Sequence, residues 1–170
     1  MAKKKHRSRH RLDTHYVRSS FFGIEDSLVS TTGLIAGISV GTADRNVVIL
    51  AGVVAIAVEA ISMAAGEFLS EETEKDMSQG HDRANPVIGG LIMLVSYAAA
   101  GMVPLAPILL LDQAYAFTGS IVSALVGLFI LGYVRGKITR KPAIKQAVRV
   151  LVVGGIAAAI GIVVGVLYKV

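Results

Sequence analysis

The feature that most restricts this chain is a 24-residue run at positions 47–70, VVILAGVVAIAVEAISMAAGEFLS. As a helix rising 1.5 Å per residue it is about 36 Å long, enough to cross a hydrocarbon core of about 30 Å. Glu59 interrupts it near the middle and Glu67 toward the end. Glu59, Met63 and Glu67 recur at intervals of four, so a helix sets them in a slowly drifting row on one face. A carboxylate at bilayer depth costs about 2.5 kcal/mol or more, so it turns toward protein or water and marks a pathway. That row is the first candidate for function.

The remaining chain follows the same plan. Its mean hydropathy is +0.65, and the apolar residues come in long runs rather than an amphipathic pattern, which fits an all-α polytopic membrane protein. Five spans are predicted, at 27–43, 47–70, 87–111, 114–134 and 147–167. The first is short and polar, with Ser27, Ser30, Thr31 and Thr32 ahead of Gly33, Gly37 and Gly41. Small residues four apart let two helices approach at main-chain distance, so this span belongs inside the bundle or at a homodimer seam. Pro86 suits the first turn of the third span. Pro104 and Pro107 inside that span are expected to bend or break it at a functional depth. Gly119, Ser123 and Gly127, and likewise Ala157, Gly161 and Gly165, read as packing ridges without chemistry.

Charge sets the orientation. Lys and Arg number 17 against 12 Asp and Glu, a net charge of +5, but the basic residues flank apolar segments and do not suggest a nucleic-acid surface. Fifteen of the 17 fall within residues 1–20, 71–85 and 135–149, leaving Arg45 and Lys169 for the other side. The asymmetry puts the N-terminus in the cytoplasm. Residues 1–20 read as a basic cytoplasmic tail, disordered or lying on anionic lipid, and 21–170 as the membrane transport domain. A signal peptide does not fit so long a basic stretch without a cleavage site. His6, His10 and His15 lack an ordered ligand spacing and are not taken as a metal site. Glu71, Glu72, Glu74 and Asp76 are either a solvated helix end or a cation-concentrating mouth.

Catalysis is not expected. With no cysteine, thiol chemistry and zinc–thiolate sites are excluded. There is no nucleophile elbow, P-loop or H-E-x-x-H, and Ser62 has no base beside it. No cofactor is called for. What remains is a set of donors: Asp26 and Glu67 as a possible cytoplasmic entrance, Glu59 at mid-depth, and Met63 between the glutamates. No Lys or Arg lies within a spanning segment to pair with Glu59, so a proton or a cation neutralises it. Carboxylates alone suit Mg²⁺ or Ca²⁺, whereas an added thioether shifts the preference to Fe²⁺ or another first-row ion. Met63 by itself reads more readily as packing.

Three stretches, EDSLVSTTGLIAG at 25–37, EAISMAAGEFLSE at 59–71 and GMVPLAP at 101–107, resemble the vacuolar iron transporter family. They occur in that family's order, and the resemblance covers about residues 20–168, close to the whole predicted bundle. It implies a homodimer that moves Fe²⁺, often Mn²⁺ too, out of the cytosol in exchange for protons. Asp26, Glu59 and Met63 then correspond to path residues, with Glu67 and Glu71 at the cytoplasmic end. Family members with a cytosolic metal-binding domain carry a long glutamate-rich insert between helices two and three. Here only residues 71–85 stand there, which makes this a short member. Two other readings stay open. One is a proton-coupled organic-cation antiporter, which would want aromatic rings around Glu59, and the second helix offers none there. The other is a membrane scaffold whose acids bind partner helices. The host membrane would be the plasma membrane in a prokaryote and the vacuolar membrane in a eukaryote.

Overall fold

A computed structural model describes residues 2–77 and 85–169, with side chains from Thr14 onward. It contains five helices: α1 (Ala2–Gly41), α2 (Arg45–Met77), α3 (Pro86–Leu110), α4 (Gln113–Ile138) and α5 (Ala143–Leu167). α2 to α5 are each long and apolar enough to cross a membrane, and the protein is an integral, multi-pass membrane protein. Successive helices run antiparallel, as the matched positions show. Ser30 meets Glu59 while Ser19 meets Glu67, and Gly33, Gly37 and Gly41 face Ala157, Gly161 and Gly165 in parallel order.

α1 is the helix that falls short of the apolarity expected of a span, and its position explains why. It packs against all four of the others, so Ser27, Thr31 and Thr32 are buried in protein rather than offered to lipid. Ser27 Oγ donates to the Tyr97 carbonyl of α3 at 2.7 Å. A polar helix is tolerated where neighbouring helices answer its side chains.

Three expectations need correction. Of the tail expected to be disordered or to lie on lipid, the disorder is overturned, because α1 is helical from Ala2. Its lysines and arginines are good helix formers, and no glycine or proline interrupts it before Gly23. The Gly33–Gly37–Gly41 ridge is not free to serve as a homodimer seam. A Cβ placed on Gly37 would stand 2.8 Å from the Gly161 carbonyl, and one on Gly161 would collide with the Gly33 carbonyl. The two small-residue ridges mesh with each other inside one chain.

The third correction concerns the break expected at the prolines. α3 is continuous through Pro104 and Pro107. Pro107 has no N–H for the Val103 carbonyl, and Ser123 Oγ of α4 donates to that carbonyl at 3.0 Å. Ser120 Oγ donates to the Pro104 carbonyl at 2.6 Å. The α4 serines therefore do more than pack, since they brace the proline-bearing turns.

The bundle has two dissimilar ends. Arg18 and Arg135 stand at one, beside Glu67 and Glu25. At the other, Arg45 donates from Nε to the Ile108 carbonyl at 2.9 Å and from Nη2 to the Leu109 carbonyl at 3.0 Å. Those carbonyls lack intrahelical partners at the end of α3, and a cation there also complements the helix dipole.

Candidate functional site

The row of acids predicted on α2 faces into the bundle. Glu67 and Glu71 are buried, at 9% and 4% exposure, while Glu59 and Met63 are half-buried. The helix period carries the row on from Glu67 to Glu71. Over the 12 residues from Glu59 to Glu71 it spans about 18 Å.

Glu59 sits in a knot of oxygens. Tyr97 Oη of α3 donates to its Oε2. Ser30 Oγ of α1 donates to the same atom at 3.0 Å, and Ser30 Oγ and Tyr97 Oη lie 2.6 Å apart. Two hydroxyl hydrogens cannot serve all three edges of that triangle. A proton on Glu59, or a cation among the oxygens, completes it. Asp26, one turn from Ser30 on α1, is close enough to Glu59 to feel its charge. The buried Thr31 Oγ1 has no hydrogen-bond partner among the described residues.

Nearer the charged end, Ser19 Oγ donates to Glu67 Oε1, and Arg18 Nη2 approaches that same oxygen at 3.8 Å. His15 Nδ1 lies 3.2 Å from Glu71 Oε1. Gly89 of α3 lies beside both acids: a Cβ there would stand in ordinary contact, 3.6 and 3.7 Å from their Cγ atoms. A cavity of about 830 Å³ opens at this end beside Glu67, with Glu25, Arg18, Arg135, Phe21 and Phe22 in its wall. Glu25 and Arg135 pair across it at 2.8 Å.

Beyond Glu59 the character changes. Ile35, Val48, Ile56, Leu105, Ile108 and Ala116 form a buried apolar cluster across four helices. Past it lies a smaller cavity of about 180 Å³, lined by Ser39, Thr42, Arg45 and Gln113 among others.

Against the sequence reading, Asp26 joins Glu59 rather than forming an entrance with Glu67. Glu67 and Glu71 share the Gly89 bed, and Met63 stands between the two groups. Sequence reasoning missed Tyr97, Ser30, Ser19 and His15 as partners of the acids. The organic-cation reading had been weighed down by a lack of aromatics near Glu59 on α2, yet α3 supplies Tyr97, which meets Glu59 through its hydroxyl. For Tyr97 a signal existed, a lone tyrosine within an apolar span. His15 sits four residues before Ser19, but nothing in the sequence aims either at α2.

A bundle of apolar helices with a ladder of carboxylates turned inward defines a polytopic membrane protein with a polar interior. The sequence pattern of the VIT family matches residues 17–83 and 75–166, and the chain belongs to that family. It is 28% identical to "Vacuolar iron transporter homolog 4" of Arabidopsis thaliana, covering 85% of this chain and 80% of that protein. It is 24% identical to "Vacuolar iron transporter 1" of Arabidopsis thaliana, covering 91% and 86%, and 26% identical to "VIT-like transporter 1b" of Glycine max, covering 85% and 72%. The second alignment runs over 216 positions, more than the 170 residues of this chain, so that relative carries segments absent here. The two matched pieces of the family pattern meet at residues 75–83, where α2 ends. These relatives are named as transporters, not enzymes, and the family implies no cofactor, iron being cargo.

Proposed function

We propose that this protein exports divalent metal ions, Fe²⁺ with Mn²⁺ as a second substrate, from the cytosol in exchange for protons. The charged end faces the cytoplasm, and α1 is the fifth crossing helix. The ion passes Glu71 and Glu67, binds among Glu59, Asp26 and Met63, and leaves as protons replace it. The observation that carries the reading is the oxygen triangle at Glu59, which needs either a proton or a cation. The names of the relatives support metal as the cargo. A carboxylate in apolar surroundings requires a counter-charge, so losing a metal favours gaining a proton. The family resemblance also implies a homodimer, whose seam must lie elsewhere than the Gly33–Gly37–Gly41 ridge. Residues 1–20 remain cytoplasmic in this reading, though as helix.

The test is Fe²⁺ uptake into proteoliposomes under an imposed pH gradient. Wild type is expected to move Fe²⁺ with counter-movement of protons, and Glu59→Gln to be slowed at least about 100-fold, since a neutral amide cannot exchange charge. A Glu59→Gln protein as fast as wild type would overturn the assignment. Competition by a quaternary ammonium ion, with no competition by Mn²⁺, would favour the organic-cation reading.

A further inference from the structure

We infer that His15, Glu71 and Glu74 form a divalent-metal capture site at the charged end of the bundle. The N-terminal part of α1 thus supplies the ligand that closes the site. The inference deepens the transport reading and rests on it for its role, though not for its chemistry.

Two successive turns of α1 address two successive turns of α2. Ser19 reaches Glu67, and His15, one turn earlier, reaches Glu71 at 3.2 Å across 56 positions of sequence. Because the helices are antiparallel, both spacings of four match. Tyr16 Oη accepts a hydrogen bond from the Asn85 main-chain N–H at 3.0 Å, so the start of α3 holds the same turn of α1 in place. His15 is therefore positioned by three helices.

The donor set has the chemistry of a metal site. One ring nitrogen and two carboxylate oxygens, from His15, Glu71 and Glu74, lie within 4.8 Å of one another. Donors sharing a first-row ion at about 2.1 Å stand about 3–4 Å apart, so small side-chain rotations bring all three onto one ion. Imidazole with carboxylates suits Fe²⁺, Mn²⁺, Co²⁺ or Zn²⁺ over the all-oxygen preference of Mg²⁺ and Ca²⁺.

Burial adds an independent reason. Glu71 is 4% exposed, and the basic group that meets it among the described residues is the His15 imidazole, at 3.2 Å. A divalent ion answers a buried carboxylate better than that hydrogen bond does. Glu74, three residues on, is exposed, which gives the ion a way in from water. From there Glu67 lies one turn further along the row.

Co²⁺ binding to the full-length protein in detergent tests this, read by the visible absorption that imidazole coordination gives and by equilibrium dialysis. Besides any Co²⁺ held at Glu59, wild type is expected to bind a further equivalent that survives Glu59→Gln and is weakened at least about tenfold by His15→Gln and by Glu74→Gln. Glu74 is exposed, so its substitution reports on binding without endangering the fold. Unchanged stoichiometry and affinity in both variants would overturn the site and leave His15–Glu71 as a structural pair. Metal uptake abolished by Glu59→Gln with Co²⁺ binding insensitive to His15 sinks only the capture site. A His15-dependent Co²⁺ site in a protein that moves no metal sinks only the transport reading.

Discussion

From Glu59 toward the charged end, α1 and α2 face each other with Asp26, Ser30, Ser19 and His15 against Glu59, Glu67 and Glu71. From Glu59 the other way, the facing surfaces carry Ile35, Val48, Ile56 and Leu105, with the glycine ridge of α1 turned to α5. Both halves contain hydroxyls. In the half past Glu59, which the export reading makes the outer one, Ser120 and Ser123 donate to main-chain carbonyls of α3. In the inner half Ser30 and Tyr97 donate to a carboxylate, whose oxygens can release them for an ion. One half is wet and exchangeable, the other dry and committed. In the export reading proposed above, this is the form of a transporter closed on its outer side and open on its inner side, and the substitutions below test the contrast.

The largest effect is expected in the dry half. The methyl of an alanine at Gly161 already meets the Gly33 carbonyl, so Gly161→Val should separate α1 from α5 at a cost of about 3 kcal/mol or more. The measurement is folded yield and unfolding midpoint in detergent. Gly155→Ala, on the same helix with nothing within 4 Å of the added methyl, should stay within about 0.5 kcal/mol of wild type. Equal losses would show that the ridge is not a tight contact.

Next comes the apolar cluster. Leu105 is fully buried, and Leu105→Ala should cost about 2–5 kcal/mol through the cavity it leaves. A thinner seal should also let metal leak from preloaded liposomes without a pH gradient. A destabilised but leak-free protein would mean that the cluster holds the fold and does not close the path.

The third effect lies in the wet half and should leave stability nearly alone. Tyr97→Phe keeps the Ser27 hydrogen bond, because Ser27 binds the Tyr97 main chain, and removes only the hydroxyl at Glu59. Groups that orient a metal-binding carboxylate are worth about 10- to 100-fold in affinity. Fe²⁺ affinity should fall by about that factor while the unfolding midpoint moves little. A large stability loss with unchanged affinity would make Tyr97 a packing residue.

The contrast between the halves was only partly legible in the sequence. The acid row was readable because it depends on one helix's period, and Glu59, Met63, Glu67 and Glu71 keep it whatever surrounds them. The glycine ridge was readable as a close contact, but small residues at four-residue spacing do not name the partner, and α5 carries the same pattern. Tyr97, Ser30 and His15 were not readable as partners because each reaches α2 from another helix, through an interhelical register that no local pattern encodes. The helical N-terminal stretch was missed for a similar reason. Without apolar periodicity, only its docking on Glu67, Glu71 and Asn85 fixes its place.

The smallest effect tests whether the outer hydroxyls are committed to the backbone. Ser123 Oγ donates to the Val103 carbonyl, which Pro107 leaves without its helical partner, and also lies 2.9 Å from the Ser120 carbonyl. Interhelical hydrogen bonds in membranes average about 0.6 kcal/mol, so Ser123→Ala should cost about that much. In a Pro107→Ala background residue 107 regains an N–H, the Val103 carbonyl recovers its intrahelical bond, and Ser123→Ala should cost measurably less. The cycle is read from unfolding midpoints of the four proteins. Identical cost in both backgrounds would mean that Ser123 serves its own helix alone, and the outer half would then owe its closure to apolar packing without help from α4's hydroxyls.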